Sequence, residues 1–349
     1  MLLGEPTRIK TVVVAGGHNL ISNSIISALS TDPGISIHTL VSANAHSSSP
    51  LTVLNNVNGH SKDHNHNHER SHNHDHSAPN PRHHPVDTTS TSSLVTLFTS
   101  LSPRADLLIS TAHGGNHALQ TTLIRSAIES RIPYFLPCEF GHDASNSRIR
   151  ALLSPWEQRW LTITELRKQG EVEWLGLATG YPLSARLRDG NAGIDVQWHS
   201  ASIYGGGGER FAASSTEFVG RLVLAVIRNW SRLPRNSYLC VAECVTSFDA
   251  VVAALERQLG VEFAVQRNET ELAVRESEKR IKAGWPDAGV FLMERAVLGD
   301  KEVEYERIFE RDAREVGGLL GIGEAGVEGL VNEVLMELRE NGRGDCGCG

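Results

Sequence analysis

Few cysteines, no long apolar run and no excess of basic residues limit what this 349-residue sequence can encode. Its five cysteines are an odd number scattered along the chain, so we expect reduced thiols rather than a disulfide framework. No segment approaches the ~18 apolar residues of a membrane span, and the first residues, MLLGEPTRIKT, lack the apolar core of a secretory signal. The formal net charge of -8 disfavours nucleic acid, because phosphate binding needs clustered Lys and Arg. The sequence therefore predicts a cytoplasmic protein without nucleic-acid or membrane partners.

The composition itself is typical of a soluble globular chain. Hydrophobic residues make up 40% of the sequence and charged residues 21%. Single cores stop growing near about 250 to 300 residues. A chain of this length therefore predicts one large core and a smaller second lobe.

The N-terminal region contains a strand, a glycine turn and a helix in immediate succession. Residues 11–15 (TVVVA) are a short β-branched apolar run, typical of a buried parallel strand, and the run stops at Gly16 and Gly17. Apolar residues at helical spacing follow in residues 20–29, and residues 35–41 are predicted to form the next strand. This order is that of a βαβ unit.

A segment rich in Ser, Asn and His interrupts this pattern. Nine of the 16 histidines lie between His60 and His84. A segment with so few apolar residues cannot bury enough surface to offset the entropic cost of becoming ordered. We therefore predict that residues 44–85 are a disordered insertion that takes no part in the core. Its HNHNH and HNHDH spacings predict affinity for nickel or zinc in vitro, but no catalytic metal site.

Strands and helices alternate again after Val86. The runs ADLLIS and IPYFL are predicted strands, and helical segments precede and separate them. The alternation predicts a doubly wound parallel sheet, a Rossmann-like α/β fold. We expect this domain to comprise residues 1–43 and 86–180, and residues 181–335 to add a smaller C-terminal α/β substrate lobe together with elements that return to the sheet. The tail, residues 336–349, is predicted to be flexible.

Several segments together resemble the NmrA-like and isoflavone-reductase-like family of atypical short-chain dehydrogenases. In chain order they are VVVAGGHNLISNSIISAL, ADLLIST, YFLPCEFGHD, WLGLATGYPLSARL, ASIYGGGGERFAASSTEFVGRLVLAVI and SFDAVVAALERQLGVEF. The third is similar to the family's PSEFG segment, which follows the fifth strand. The resemblance covers most of residues 11–265, and it implies a Rossmann-like fold, an NAD(P) cofactor and a hydrophobic small-molecule substrate.

The cofactor motif of the family is altered in this sequence. The family carries GxxGxxG in the first turn, where glycines let the backbone approach the pyrophosphate; these positions here hold Gly16, Asn19 and Ser22. We expect the Asn19 side chain to intrude where a phosphate usually sits, which leaves NAD(P) binding open. Ser42 stands near the position of the Arg that meets the 2′-phosphate in NADP-dependent members. The cofactor-binding residues implied by the resemblance are Gly16, Gly17, His18, Asn19, Leu20, Ile21, Ser42, Thr111 and Ala112.

Three polar residues are candidates for catalysis at the carboxyl edge of the sheet, where doubly wound folds bind ligands. Arg159 aligns with the catalytic Lys of the family; a guanidinium does not readily exchange a proton but can stabilise an oxyanion. His113 is a candidate acid or base, or else a solvent-facing loop residue. Glu139 is a candidate base, or else an anchor of its loop. The predicted substrate pocket comprises Pro137, Cys138, Phe140, His142 and Tyr181, and no metal ligands are expected.

Three hypotheses about function follow from these observations. The first is an NAD(P)H-dependent oxidoreductase that reduces a hydrophobic, secondary-metabolite-like substrate, with Arg159 polarising it. The second is a cofactor-free isomerase, cyclase or pericyclase on the same fold, which the replacements at Asn19, Ser22, Ser42 and Arg159 suggest. The third is a dinucleotide-sensing regulator of the NmrA type that binds a partner protein. The sequence alone leaves all three open.

Overall fold

The computed structural model describes residues 9–42, 81–112, 114–322 and 326–341. The strands within these ranges are Thr11–Ala15 (β1), Ser36–Ser42 (β2), Arg82–Val86 (β3), Leu107–Ser110 (β4), Tyr134–Leu136 (β5), Glu173–Ala178 (β6), Ile194–Asp195 (β7), Ser200–Tyr204 (β8), Phe211–Ala213 (β9), Ser237–Cys240 (β10), Cys244–Thr246 (β11) and Ala264–Asn268 (β12).

The α-helices within the same ranges are Leu20–Ser30 (α1), Thr91–Ser100 (α2), His117–Glu129 (α3), Ser147–Leu152 (α4), Ser154–Gln169 (α5), Leu183–Arg188 (α6), Thr216–Asn229 (α7), Phe248–Leu259 (α8), Thr270–Lys282 (α9), Pro286–Leu298 (α10), Glu306–Asp312 (α11), Gly318–Leu320 (α12) and Val327–Asn341 (α13). None of these helices has the length and apolar character needed to cross a membrane.

A sheet of seven parallel strands forms the centre of the molecule. Its strand order is β10-β6-β5-β4-β1-β2-β3. In the middle of the sheet, Val13 of β1 pairs with His38 of β2 on one side and with Leu108 of β4 on the other. All five residues of β1 are buried, as expected for a strand covered on both faces. The predicted doubly wound, Rossmann-like sheet is confirmed.

Helices cover both faces of the sheet, because successive side chains of a strand point to opposite sides. Val12 packs in one core with Ile25 of α1 and Val223 of α7. Val13 packs in a second core with Leu94 of α2. The carboxyl ends of the strands remain as the edge at which a ligand site can form.

The second lobe is built mainly from the chain after residue 181. Strands β12, β8 and β7 form a three-stranded sheet, and β9 pairs with β11. Its core includes Phe211, Val297 and Phe309. Between these elements the chain returns to the large sheet, where α7 packs near α1 and β10 pairs with β6.

Two predicted boundaries are wrong where the described residues overlap them. Residues 82–85, assigned to the disordered insertion, form the edge strand β3 together with Val86, parallel to β2. Imidazoles support this pairing, because His83 Nδ1 lies 2.6 Å from Thr39 Oγ1 and His84 Nε2 lies 2.9 Å from His38 Nδ1. The predicted flexible tail also begins too early, since residues 336–341 belong to α13. The remainder of both segments lies outside the described residues.

Candidate active site

A cavity of about 340 Å³ lies at the carboxyl edge of the large sheet. Its walls come from the start of α1, from the segments after β4 and β5, and from α5, α6, α10 and α13. The wall on the sheet side includes Leu20, Thr111 and Cys138. The opposite wall belongs to the second lobe and includes Arg186 and Glu294. The cavity is therefore shared between the two lobes, as expected for the ligand site of a doubly wound fold.

Two glycines shape the turn between β1 and α1. A Cβ atom on Gly16 would lie 2.1 Å from Thr111 Oγ1, so only glycine lets this turn approach the end of β4 so closely. Gly17 has a φ of +68°, a left-handed conformation that favours glycine, and the space that its Cβ would occupy is open. The turn thus keeps a tight bend and an open backbone surface next to α1.

Asn19 does not intrude into the cavity, so the predicted steric obstruction is wrong. Its side chain is buried, and its Nδ2 donates to the carbonyl oxygens of Gly16 and Thr111, each at 3.1 Å. Its Oδ1 accepts from the Ser22 N–H at 2.9 Å and caps α1. Ser22 Oγ lies 2.5 Å from Thr111 Oγ1. The two residues that replace glycines therefore clamp the turn onto β4.

The residues of this turn fit the phosphates of a dinucleotide. The first N–H groups of a helix have no acceptor within the helix and attract anions. Leu20 and Ile21 occupy these positions in α1 and line the cavity. The open surface at Gly17 lies beside them. Asn19 takes up the Ser22 N–H, so this cradle offers fewer free donors than a glycine-rich one.

The other predicted cofactor-binding residues surround the same turn. The Ala112 N–H donates to the Ala15 carbonyl oxygen at 2.9 Å. Ser42 is the exposed last residue of β2. The exposed ring of His18 lies 5.9 Å from the ring of His83 on β3. His83, which lies opposite Thr39 of β2, thus places an imidazole near the exposed ring of His18.

Arg159 of α5 lines the cavity next to the segments after β4 and β5. Its Nη1 donates to the Cys138 carbonyl oxygen, and its guanidinium lies 5.2 Å from the centre of the Trp156 ring. Gly114 makes room for this group, because a Cβ there would lie 2.6 Å from Arg159 Cζ. These contacts hold a positive charge on the wall of the cavity.

Glu139 lies beneath this wall and is 1% exposed. Burial raises the pKa of its carboxyl group to about 7, and the Arg159 charge and the Tyr238 hydroxyl offset only part of that effect. The Tyr238 hydroxyl donates to Glu139 Oε2 at 3.4 Å and accepts from the Ala144 N–H at 2.9 Å. Glu139 is thus part of a buried network and is not among the cavity-lining residues.

The predicted pocket residues divide into two groups. Cys138 and Phe140 line the cavity, whereas Pro137, His142 and Tyr181 do not. Burial raises the pKa of the Cys138 thiol, which disfavours the thiolate. His113, the third catalytic candidate, lies outside the described residues.

His142 is fully buried below the cavity. Its Nδ1 lies 2.5 Å from the Tyr305 hydroxyl, and its Nε2 lies 3.4 Å from Glu294 Oε1. The Trp156 indole N–H donates to the His142 carbonyl oxygen at 3.0 Å. His142 therefore positions groups of the cavity wall instead of forming it.

Among the charged residues of the cavity wall that sequence reasoning missed, three form one group. They are Arg186 of α6, Asp189 at the end of α6, and Glu294 of α10. Arg186 and Glu294 are 108 positions apart in the sequence, so no motif spacing predicts that they form a pair. The available signal was a glutamate inside the apolar run VFLMERAVL, since a buried carboxylate needs a partner.

Helix α13 closes one side of the cavity through an ion pair. Glu337 Oε1 accepts a hydrogen bond from Arg188 Nη2 at 2.8 Å, and Arg188 Nε of the same ion pair lies 2.5 Å from Glu337 Oε2. Glu217, Glu333 and Glu337 form the one cluster among the described residues with the spacing of a cation site. Exposed acidic groups commonly lie this close together without a metal ion, so we assign no metal site to these three residues.

No family model matches the chain. Two curated fungal proteins are similar to it in sequence. Oxidoreductase aprR of Aspergillus flavus is 29% identical over 185 residues, which cover 51% of this chain and 61% of that protein. Oxidoreductase poxI of Penicillium oxalicum is 23% identical over 197 residues, which cover 55% of this chain and 62% of that protein. The chain thus matches less than two thirds of the length of either relative.

Two solved structures share the fold over nearly the whole chain. Isoflavone reductase matches with a TM-score of 0.67 at 15% identity, and the matched region covers 94% of this chain and 99% of the isoflavone reductase chain. The leucoanthocyanidin reductase–NADPH binary complex from Vitis vinifera matches with a TM-score of 0.67 at 12% identity, and the matched region covers 93% of this chain and 99% of the reductase chain. These likenesses confirm the predicted resemblance to isoflavone-reductase-like proteins in fold.

Proposed function

We propose that this protein is a cytoplasmic NAD(P)H-dependent reductase of a hydrophobic small molecule. The observation that carries the proposal is that one cavity contains both the anion-binding start of α1, at Leu20 and Ile21, and the guanidinium of Arg159. The similarity to two fungal oxidoreductases and the fold shared with an NADPH-bound reductase support it. The apolar part of the wall, which includes Phe140 and Trp156, suits a hydrophobic substrate.

Different residues of the cavity would bind the cofactor and stabilise the reacting substrate in such a reaction. The backbone at Gly17, Leu20 and Ile21 would hold the pyrophosphate. A nicotinamide cofactor held by these residues would supply hydride-transfer chemistry for reduction of a substrate carbonyl. Arg159 stabilises the negative charge that develops on the substrate oxygen, and because a guanidinium does not readily lose a proton, that oxygen takes its proton from water.

Titration of the purified protein with NADPH and with NADH by calorimetry tests the cofactor assignment directly. We expect at least one of them to bind with a Kd well below the millimolar range, as the α1 site and the turn at Gly17 imply. Failure of both to bind at millimolar concentration would refute the reductase proposal.

Substitution of Arg159 tests its role once a carbonyl substrate is turned over. Arg159→Met should lower kcat by about 100-fold, as loss of an oxyanion donor does, while the Kd for NADPH stays unchanged. Arg159→Lys keeps the charge and should retain more activity. Arg167→Met, an exposed arginine on the same helix, is the control. Equal activity of Arg159→Met and the control would show that Arg159 has no catalytic part.

The Asn19 clamp favours a second candidate function, a cofactor-free isomerase or cyclase that uses the same cavity. Asn19 Oδ1 already occupies the Ser22 N–H, which reduces the donors left for a pyrophosphate. On this alternative Arg159 polarises a carbonyl without hydride transfer. A substrate that is converted in the complete absence of dinucleotide, with no change in its oxidation state, would establish the alternative.

A further inference from the structure

A buried group of charges forms the second-lobe wall of the cavity. Arg186 Nε donates to Glu294 Oε2 at 3.0 Å, and Arg186 Nη1 lies 3.5 Å from Asp189 Oδ2. The three side chains are between 2% and 8% exposed, yet all three line the cavity. Charged groups are expensive to bury, so the place of three of them on the wall of one cavity calls for a reason.

Further contacts hold this group in one geometry. The Arg186 guanidinium lies 4.2 Å from the centre of the Phe291 ring. His142 Nε2 lies 3.4 Å from Glu294 Oε1, and the His142 ring is held in turn by Tyr305. Burial by itself would raise the pKa of Glu294. Arg186 and His142 have the larger, opposite effect and lower the pKa from 4.5 to about 2, so the carboxylate is ionised. The wall is therefore a fixed polar surface.

The two walls of the cavity carry opposite net charge. On the second-lobe wall, the Arg186 guanidinium faces two carboxylates, which leaves an excess of one negative charge, and the paired Arg188 and Glu337 add no net charge. On the sheet-side wall, Arg159 contributes a positive charge. The Trp156 indole contacts Arg159 with its ring and His142 with its N–H group, so aromatic surface connects the two polar regions.

We propose that Asp189 and Glu294 select a neutral substrate by accepting a hydrogen bond from its hydroxyl group. The substrate is a largely apolar molecule whose hydroxyl binds at this wall while its carbonyl points to Arg159. Arg186 is not free to bind a substrate carboxylate, because the two carboxylates beside it already compensate its charge, and an anion would meet their excess negative charge. The orientation of the carbonyl rests on the proposed function; the preference for a neutral hydroxyl does not.

Three probes of one size test this preference in calorimetric titrations of Arg159→Met without dinucleotide, because Arg159 on the opposite wall would itself attract an anion. They are 2-naphthol, 2-naphthoate and naphthalen-2-ylmethylammonium, which present a neutral hydroxyl, an anion and a cation on one aromatic frame. We expect 2-naphthol to bind at least about tenfold more tightly than 2-naphthoate, which one uncompensated like charge in a dry site can produce. Equal or tighter binding of 2-naphthoate, or tightest binding of the ammonium probe, would overturn the proposal.

Variants assign the discrimination to these carboxylates. Glu294→Gln should reduce the difference between 2-naphthol and 2-naphthoate to within about threefold by removing the repulsion. Because this change leaves Arg186 less compensated, Asp189→Asn serves as a second variant that keeps the Arg186–Glu294 pair. Glu271→Gln, an exposed carboxylate on α9, is the matched control. If both variants fold, by circular dichroism, and both keep the full difference, the two carboxylates do not select the ligand.

The same protein sample separates this proposal from the reductase assignment. Titration with NADPH tests the start of α1, whereas the naphthalene probes test the opposite wall. A sample that discriminates the probes but binds no dinucleotide would retain the selectivity of Asp189 and Glu294 and reject only the reduction. A sample that binds NADPH but prefers 2-naphthoate would reject the selectivity alone.

Discussion

At the scale of single residues, Asn19 replaces a glycine and takes on a structural task. Its amide group makes three hydrogen bonds, which cap α1 and connect the β1 turn to the end of β4. In a glycine-rich turn none of these bonds exists. The replacement therefore adds stability to the turn while it removes one donor from the phosphate cradle.

Removal of this side chain should measure that stability. Asn19→Ala deletes the cap and both bonds to carbonyl oxygens, and should lower the free energy of unfolding by about 1–2 kcal/mol. Asn19→Ser keeps an oxygen that can cap the helix and should lose less. Urea denaturation of the three proteins provides the values. Equal stability of Asn19→Ala and the unchanged protein would mean that the clamp contributes nothing.

Glu139 should make the stability of the protein depend on pH. Its folded-state pKa of about 7 lies above the ordinary value of 4.5, so between these values the native state holds more protons than the unfolded state. Stability therefore falls as the pH rises through this window. Glu139→Gln cannot ionise, and from about pH 5 to about pH 8 it should gain roughly 2–3 kcal/mol relative to the unchanged protein.

Urea denaturation at both pH values measures this difference. Glu171→Gln, which alters an exposed glutamate, is the control and should follow the unchanged protein at both pH values. A constant difference between Glu139→Gln and the unchanged protein across the window would contradict a raised pKa.

Sequence reasoning at this scale identified positions better than contacts. Alignment to GxxGxxG singled out Asn19 and Ser22, but the direction of the Asn19 side chain depends on Thr111, 92 positions away. Arg159 was found because a motif fixed its place on α5. Arg186 and Glu294 belong to no motif, and their pairing exists only after two distant helices meet.

At the scale of elements, α13 is a wall of the cavity with an apolar face against the second lobe. Leu335 is 3% exposed in that face, whereas its neighbour Met336 is 53% exposed. Leu335→Ala should lower the free energy of unfolding by about 2–4 kcal/mol through a buried cavity. Met336→Ala should change it by less than about 0.5 kcal/mol. Urea denaturation compares the pair, and similar losses from both would show that α13 is not packed as described.

Elements with strong apolar periodicity were predictable, and the polar ones were not. The strand at residues 11–15 matches its predicted bounds, because it buries apolar side chains. Strand β3 has the sequence RHHPV, which has no apolar alternation. Its order comes from imidazole contacts and backbone pairing with β2, which composition does not reveal.

At the scale of the whole molecule, we expect the histidine-rich segment to be separable from the fold. Replacing residues 43–80 with a Gly/Ser linker of about 12 residues leaves β2 and β3 a chain long enough to connect them. The melting temperature and the affinity for NADPH should stay the same, while retention on a nickel resin should be lost. A melting temperature lowered by about 5 °C or more would show that the segment stabilises the core.

The packing of α1 against α7 has a consequence for synthesis on the ribosome. Ser24 of α1 donates from its hydroxyl to the Thr216 carbonyl oxygen at 2.6 Å, and a Cβ on Gly220 would lie 2.4 Å from the Ser24 carbonyl oxygen. The apolar face of α1 is thus covered by a helix that ends at residue 229. We therefore expect a nascent chain of 200 residues to expose that face and to be prone to aggregation until α7 has left the exit tunnel.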